Sequence, residues 1–342
     1  MQSTDRNYKD IVLSLIMINR NGERLLRYTL RPIVRILEKY DWVEFVFVDD
    51  ASSDNSLSLV RKTLSMCKSC QYTIYSLRER KGPSYARNVG ALLSRGSILF
   101  FIDNDTILLS DDVVVKIREV FEHMDDVTIV QPYVEPFFNG SVVWGGGGFV
   151  TPSSFGYVER SCVEEPFYAL GAALAIRRDV FFAVDGFNPL YDYLYEEVSL
   201  AWKTRRISAG RVYCIPDARV AHISRGSGSN KKASLFIRNR FILLMEVLEL
   251  KNFLIFGSVL GVRTLYSKPL ELIMSLIFLL KNIKRIIYIK KKYKYNNKII
   301  FKKFIKIINL ELALLHNKNK VRYLLTKLAY RLTDLNSLLS SS

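Results

Sequence analysis

VEFVFVDDASSDNS (Val43–Ser56) and ILFFIDND (Ile98–Asp105) share one plan: a continuous apolar run that stops at a cluster of acids. Both runs are short and rich in branched and aromatic residues, as expected of strands buried on both faces. IVLSLIMI (Ile11–Ile18) and Tyr72–Leu77 add two more such runs. Helix candidates fall between them. Glu23–Lys39 should break or kink at Pro32, which lacks the N–H a helix interior needs. Asp54–Met66 begins at Ser53 or Asp54 as N-cap, and Ser84–Leu93 at Ser84. Strands alternating with helices predict an α/β fold with a mostly parallel sheet and right-handed crossovers. Ligands of such sheets bind beyond the carboxyl ends of the strands. Asp49, Asp50 and Asp54 follow one strand, and Asp103, Asn104 and Asp105 follow another. Carboxylates there can accept hydrogen bonds from a base or ribose, or hold a hard divalent cation. For any single Asp a turn or helix cap is the commoner use, but two clusters on one predicted edge favour a site.

Of the 342 residues, 49% are apolar, which excludes disorder of the whole chain. The length fits roughly two domains, or one of about 250 residues with an appendage. Met1–Asp10 is polar and does not read as a secretory leader. Four Cys do not make a disulfide scaffold, and the lone CxxC of Cys67 and Cys70 lacks the second pair a zinc site would need. A reducing, cytosolic setting is the expectation.

The net charge of +17 is unevenly spread. Up to Met245 there are 31 basic and 28 acidic residues; from Glu246 onward there are 19 and 5. Between Lys281 and Lys306 eleven basic residues occur with no acid, interleaved with Ile, Tyr and Phe. Such a stretch suits an anionic membrane surface; nucleic acid is the less favoured partner, and a solvated helix face the bland alternative. The apolar runs Phe253–Val262 and Leu270–Leu280 are too short to span a bilayer, which takes about 20 residues. Lying on the membrane, or dipping shallowly into it, fits better.

Between Ile11 and Met245 the chain resembles a family 2 glycosyltransferase with the GT-A fold, non-processive and rhamnosyltransferase-like. Val48-Asp49-Asp50-Ala51-Ser52-Ser53-Asp54 resembles that family's nucleotide-binding turn, Gly82–Gly90 its GxxxARNxG helix, and Asp103-Asn104-Asp105 its DxD motif. Gly171–Arg178 with Asp185–Asn188 resembles its acceptor-side segment, Glu196–Leu200 its EDxDL motif, Pro216–His222 its closing strand, and Arg238-Asn239-Arg240 an RNR element. DxD alone is weak; seven pieces in one order are strong together. EDxDL departs here, with Glu197 and Ser199 in place of the two Asp. The QxxRW signature of processive synthases is missing.

The resemblance implies a Rossmann-like, mostly parallel mixed sheet flanked by helices over residues 1–245, with a nucleotide half to about 125 and an acceptor half from about 126. A helical, basic, membrane-associating extension would follow over 246–342. It implies an inverting, metal-dependent transfer from a nucleoside-diphosphate sugar to a hydroxyl of a lipid-linked or cell-surface glycan, at the cytoplasmic face of the membrane. Asp105, Asp103 and His222 would hold Mn²⁺ or Mg²⁺. Asp50, Asp49, Asp54, Lys81, Arg87, Asp103 and Asn104 would line the nucleotide-sugar site, although Asp54 fits a helix cap as well. Glu197, or else Glu196, would be the base. Arg225, Arg238 and Arg240 are candidate diphosphate contacts. Trp144 with Gly145–Gly148 is a candidate mobile loop over the acceptor, and Tyr191, Tyr193 and Tyr195 alternate as a strand would. Two other readings stay open: a nucleotidyltransferase, whose Gly-rich loop Ile18–Gly22 does not supply, and a catalytically weak or inactive scaffold of the same fold.

Overall fold

A computed structural model describes residues 11–137, 145–150, 156–158, 161–162, 165–208, 210–223, 230–248 and 250–293. The first half runs β1 (Leu13–Asn19), α1 (Glu23–Lys39), β2 (Val43–Asp49), α2 (Ser56–Ser65), β3 (Gln71–Ser76), α3 (Pro83–Leu93), β4 (Ile98–Asp103), β5 (Thr106–Leu108) and α4 (Val113–His123). There follow β6 (Val127–Pro136), β7 (Gly148–Val150), β8 (Gly156–Val158), β9 (Ala173–Arg177), α5 (Arg178–Ala183), α6 (Glu196–Ile207) and β10 (Arg211–His222). Three helices end the described chain: α7 (Asn230–Val247), α8 (Leu250–Ser267) and α9 (Pro269–Lys292). The Met245/Glu246 boundary read from the charge break thus falls inside α7.

Eight strands form one mixed sheet in the order β3-β2-β1-β4-β9-β6-β10-β5. β1 pairs in parallel with β2 and β4, and β2 with β3, so the strand order reverses beside β1. β9 is antiparallel to β4 and β6, and β5 to β10. The four strands expected from apolar runs are present to within two residues. β1, β2 and β4 are interior strands, with Val, Ile, Leu and Phe side chains buried on both faces; β3 is instead an edge strand whose Tyr72 and Tyr75 are exposed, so the expectation of burial on both faces fails there.

α1 does not break at Pro32. Its buried face of Leu26, Leu30, Ile33 and Leu37 seats the proline ring in the same interface. A helix-interior proline costs about 3 kcal/mol; burying four such side chains at roughly 1.5–3 kcal/mol each outweighs it. α3 begins at Pro83 after Gly82, and Ser84 does not cap it: its hydroxyl donates to the Tyr191 carbonyl at 2.6 Å. The alternating tyrosines form no strand. Leu194 and Tyr195 both have left-handed φ values, 70° and 71°, so the segment is a turn into α6. Both cysteine pairs, Cys67 with Cys70 and Cys162 with Cys214, are at bonding distance, which the sequence reading did not anticipate.

Candidate functional site

Because β1, β2 and β4 run parallel, their carboxyl ends deliver Asn19, Asp49 and Asp103 to one edge. A cleft of about 360 Å³ opens there, lined among others by Arg20, Asp50, Arg80, Arg87, Asp103, Asn104, Asp105, Tyr193, Glu196, Glu197 and His222. Its size is that of a small-molecule site.

The DxD residues occupy the turn from β4 to β5. β5 pairs with the end of β10 so that Thr106 faces His222. That register sets the His222 Nε2 atom 3.2 Å from Asp105 Oδ1, and the Ile223 amide donates to the Asp105 carbonyl. Ligating atoms of Asp103, Asp105 and His222 all lie within 4.8 Å of one another. Two carboxylates and an imidazole are a donor set that suits a hard to borderline divalent ion.

The turn after β2 is held by its own side chains. Asp49 accepts from Asn19 Nδ2, the Ser52 amide and the Ser52 hydroxyl, so it organises the turn. Asp50 lines the cleft and accepts from the Lys81 and Gly82 amides at 2.7 and 3.0 Å. Asp54 accepts from the amides of Glu23 and Ser56, the first residues of α1 and α2. Its capping reading is the one the geometry favours; these bonds also hold its carboxyl below the usual range against a burial cost. Asn104 lines the cleft and donates to Asn19 Oδ1 at 2.7 Å. The Lys81 side chain pairs outward with Glu79 and is not part of the lining.

Arg87 is the buried centre of the site. Its guanidinium donates to Glu196 Oε1 at 2.9 Å and to Asp103 Oδ1 at 2.7 Å, and it lies 5.4 Å from the Phe187 ring centre. One cation thus ties the DxD turn to the EDxDL helix across the cleft. Burial pushes the Asp103 carboxyl up against the pull of Arg87. Glu196 is 4% exposed and its Oε2 has no hydrogen-bond partner among the described residues. Glu197, half-buried, faces the cleft; burial first, and Glu196 beside it second, push its carboxyl well above the usual range.

α7 holds the turn that aims these acids. Asn239, fully buried, donates to the carbonyls of Tyr193 and Leu194 at 2.8 and 2.7 Å, where the chain enters the left-handed pair Leu194 and Tyr195. Glu246 accepts from Asn188, Tyr191 and Ser199 at 2.6, 2.9 and 3.0 Å. The Ser199 that departs from EDxDL therefore serves a carboxylate from another helix. Asn239→Ala should lower stability by about 1–3 kcal/mol, because buried carbonyls lose their donor and each left-handed residue already costs about 1–3 kcal/mol. A chemical-denaturation midpoint equal to the wild type's would show that Asn239 does not hold the turn.

Several expectations do not hold. Arg238 and Arg240 lie outside the cleft lining. Arg238 donates to the Leu190 carbonyl and stacks on Phe278, and Arg240 is buried near Phe236. The described glycines of Gly145–Gly148 form no open loop: Gly148 begins β7 and pairs with Tyr168, and added Cβ atoms at Gly146 and Gly147 would strike Cys162 and Pro166. Trp144 and Arg225 lie outside the described residues. Arg20 and Arg80 were missed. Arg20, whose side chain donates to the Asp50 and Ala51 carbonyls, sits one residue past β1, the position that signals a binding edge.

The sequence pattern of glycosyl transferase family 2 matches residues 14–183. An uncharacterized glycosyltransferase of Haemophilus influenzae is 25% identical over 100 residues, which is 29% of this chain and 38% of that protein's length. The solved mannosyltransferase PcManGT from Pyrobaculum calidifontis, in complex with GDP-Man and Mn²⁺, superposes with a TM-score of 0.54 at 17% identity, over 96% of this chain and 87% of that one. S. aureus TarS 1-349 in complex with UDP-GlcNAc superposes with a TM-score of 0.54 at 18% identity, over 81% and 83%. At these identities the structural likeness is one of fold. With that GT-A fold beneath the sequence match, the chain belongs to glycosyl transferase family 2.

Proposed function

We propose that this chain is an inverting, metal-dependent glycosyltransferase, moving a sugar from a nucleoside-diphosphate donor to a hydroxyl of a lipid-linked or cell-surface glycan. The observation that carries the reading is Arg87 joining Asp103 to Glu196, so that metal-type carboxylates and an acid pair face one cleft. Glu197 is the base and Glu196 is its fixed neighbour. Glu196 is held by Arg87, whereas Glu197 faces the cleft with a carboxyl that burial and the neighbouring Glu196 push well above the usual carboxylate range, which makes it the more basic of the two and the better proton acceptor. The acceptor hydroxyl attacks the anomeric carbon, its proton passes to Glu197, and the bond to the diphosphate breaks on the opposite face. One displacement inverts the anomeric centre. Asp103, Asp105 and His222 would hold Mn²⁺ or Mg²⁺, which when bound offsets charge developing on the leaving diphosphate. Asp50 accepts from the base of the nucleotide, and Arg20 and Arg80 supply the cleft's positive charge near the phosphates.

In this reading residues 1–245 with the rest of α7 form the catalytic unit. The basic extension, residues 246–342, brings it to the inner face of the cell membrane. Titration with UDP, GDP, dTDP and ADP, with and without Mn²⁺, tests the donor site. One diphosphate should bind in a metal-dependent way. Asp105→Ala should abolish that dependence and cut transfer by about 10²–10³-fold, the scale of losing one charge-stabilising group. No metal-dependent binding of any diphosphate would sink the catalytic reading and leave an inactive scaffold.

A further inference from the structure

α8 and α9 carry a surface that the chemistry does not use. Of 22 exposed large apolar side chains among the described residues, eleven lie on these two helices. The inner face of α9 is Leu272, Ser275, Leu279 and Ile286, all buried. On the opposite side Leu270, Ile273, Met274, Ile277 and Leu280 recur at intervals of three and four residues, forming one stripe. They are between 46% and 73% exposed. Leu265, in the last turn of α8, extends the apolar surface to the α8–α9 corner at Lys268. Beyond Leu280 the stripe turns cationic, with Lys281, Lys284, Arg285 and Lys291 all exposed.

We propose that the α8–α9 corner inserts into one leaflet of an anionic bilayer, apolar end first, with the cationic half of α9 at head-group level. This rests on the membrane-surface reading above and specifies its contact. Leu270 to Leu280 spans about 15 Å at 1.5 Å per residue. That is about half of a hydrocarbon core of ~30 Å. No described helix is long and apolar enough to cross a membrane. Charge selects the occupant. A second copy would bring the same cations to the face. Anionic lipid attracts both halves of the stripe, the cations by charge and the apolar end by burial. α9 is also fastened to the segment leading into α6. Arg238 bridges Phe278 and the Leu190 carbonyl, and Asp185 accepts from Lys292 and the Tyr293 hydroxyl. An inserted corner therefore holds the cleft in a set orientation to the lipid surface, where a lipid-linked acceptor would lie.

Flotation of the full chain with phosphatidylglycerol-containing vesicles, against pure phosphatidylcholine vesicles, tests this. The wild type should float with the anionic vesicles. Ile273→Glu combined with Ile277→Glu should weaken flotation at least ten-fold, with far-UV circular dichroism and metal-dependent nucleotide binding unchanged. In a separate variant, Ile277→Trp, the emission added over the wild type should be quenched by acyl-brominated lipid. Undiminished flotation of the double variant, without that quenching, would overturn insertion while leaving surface adsorption intact. Failure of the wild type to float would overturn insertion and the membrane reading together. A dimer abolished by the double Glu variant, in a chain that ignores vesicles, would assign the face to a second copy and overturn the proposal.

Discussion

Glu197→Gln should lower transfer by about 10²–10⁴-fold, the usual contribution of a positioned general base, while raising the melting temperature at neutral pH. The two effects have one cause. Burial and the adjacent Glu196 push the Glu197 carboxyl well above its ordinary value of 4.5. A group raised in the folded state takes up a proton on folding. Its contribution to stability is fully present below about pH 4.5 and is lost as pH rises through the folded value. An amide at this position never ionises, so it escapes that loss. The variant's melting temperature should therefore vary less with pH and exceed the wild type's at pH 7 and above. Transfer by the wild type should rise with pH over the same window, since the base must be ionised. Thermal melts from pH 4 to 9 beside single-turnover rates decide the matter. A variant that keeps wild-type activity would remove Glu197 from the chemistry. One that is inactive but no more stable at neutral pH would mean that burial does not raise its carboxyl.

Arg87→Ala should destabilise the fold by about 3–5 kcal/mol, the cost of removing one partner of a buried ion pair. Two carboxylates, Asp103 and Glu196, would then face a desolvated space without their cation. Arg87→Lys should recover only part, because an ammonium cannot span both carboxylates with a fixed fork. Transfer should fall in both variants, since the DxD turn and the acid pair lose their common tether. Adding Glu196→Gln to Arg87→Ala should restore some of the stability, as contacting residues are not additive. Denaturant midpoints of the wild type, Arg87→Ala, Glu196→Gln and the double variant measure this coupling. Additive losses would show that the Arg87–Glu196 pair is incidental.

The sequence carried much of this. VEFVFV and ILFFI are continuous apolar runs that end in acids, so they named both the central strands and the binding edge. Asp103, Asn104, Asp105, Asp50, Arg87, Glu196, Glu197 and His222 were all legible and all line the cleft. Lys81 was misread because backbone, not side chain, meets Asp50. Arg238 and Arg240 were misread because a free-looking guanidinium in sequence says nothing about which carbonyl or ring it will reach.

Periodicity and local chemistry act over a few residues, so the sequence by itself determined the first four strands with the helices between them, the acidic edge and the basic C-terminal stretch. Only the tertiary structure decided what lies far apart in the chain but meets in space. Arg87 finds Glu196 across 109 residues. Glu246 supplies a carboxylate to Ser199 from another helix. Packing on α7 leaves one stripe of α9 bare and buries the other. Such pairings depend on how buried faces are matched across the whole fold, and no window of local sequence contains them.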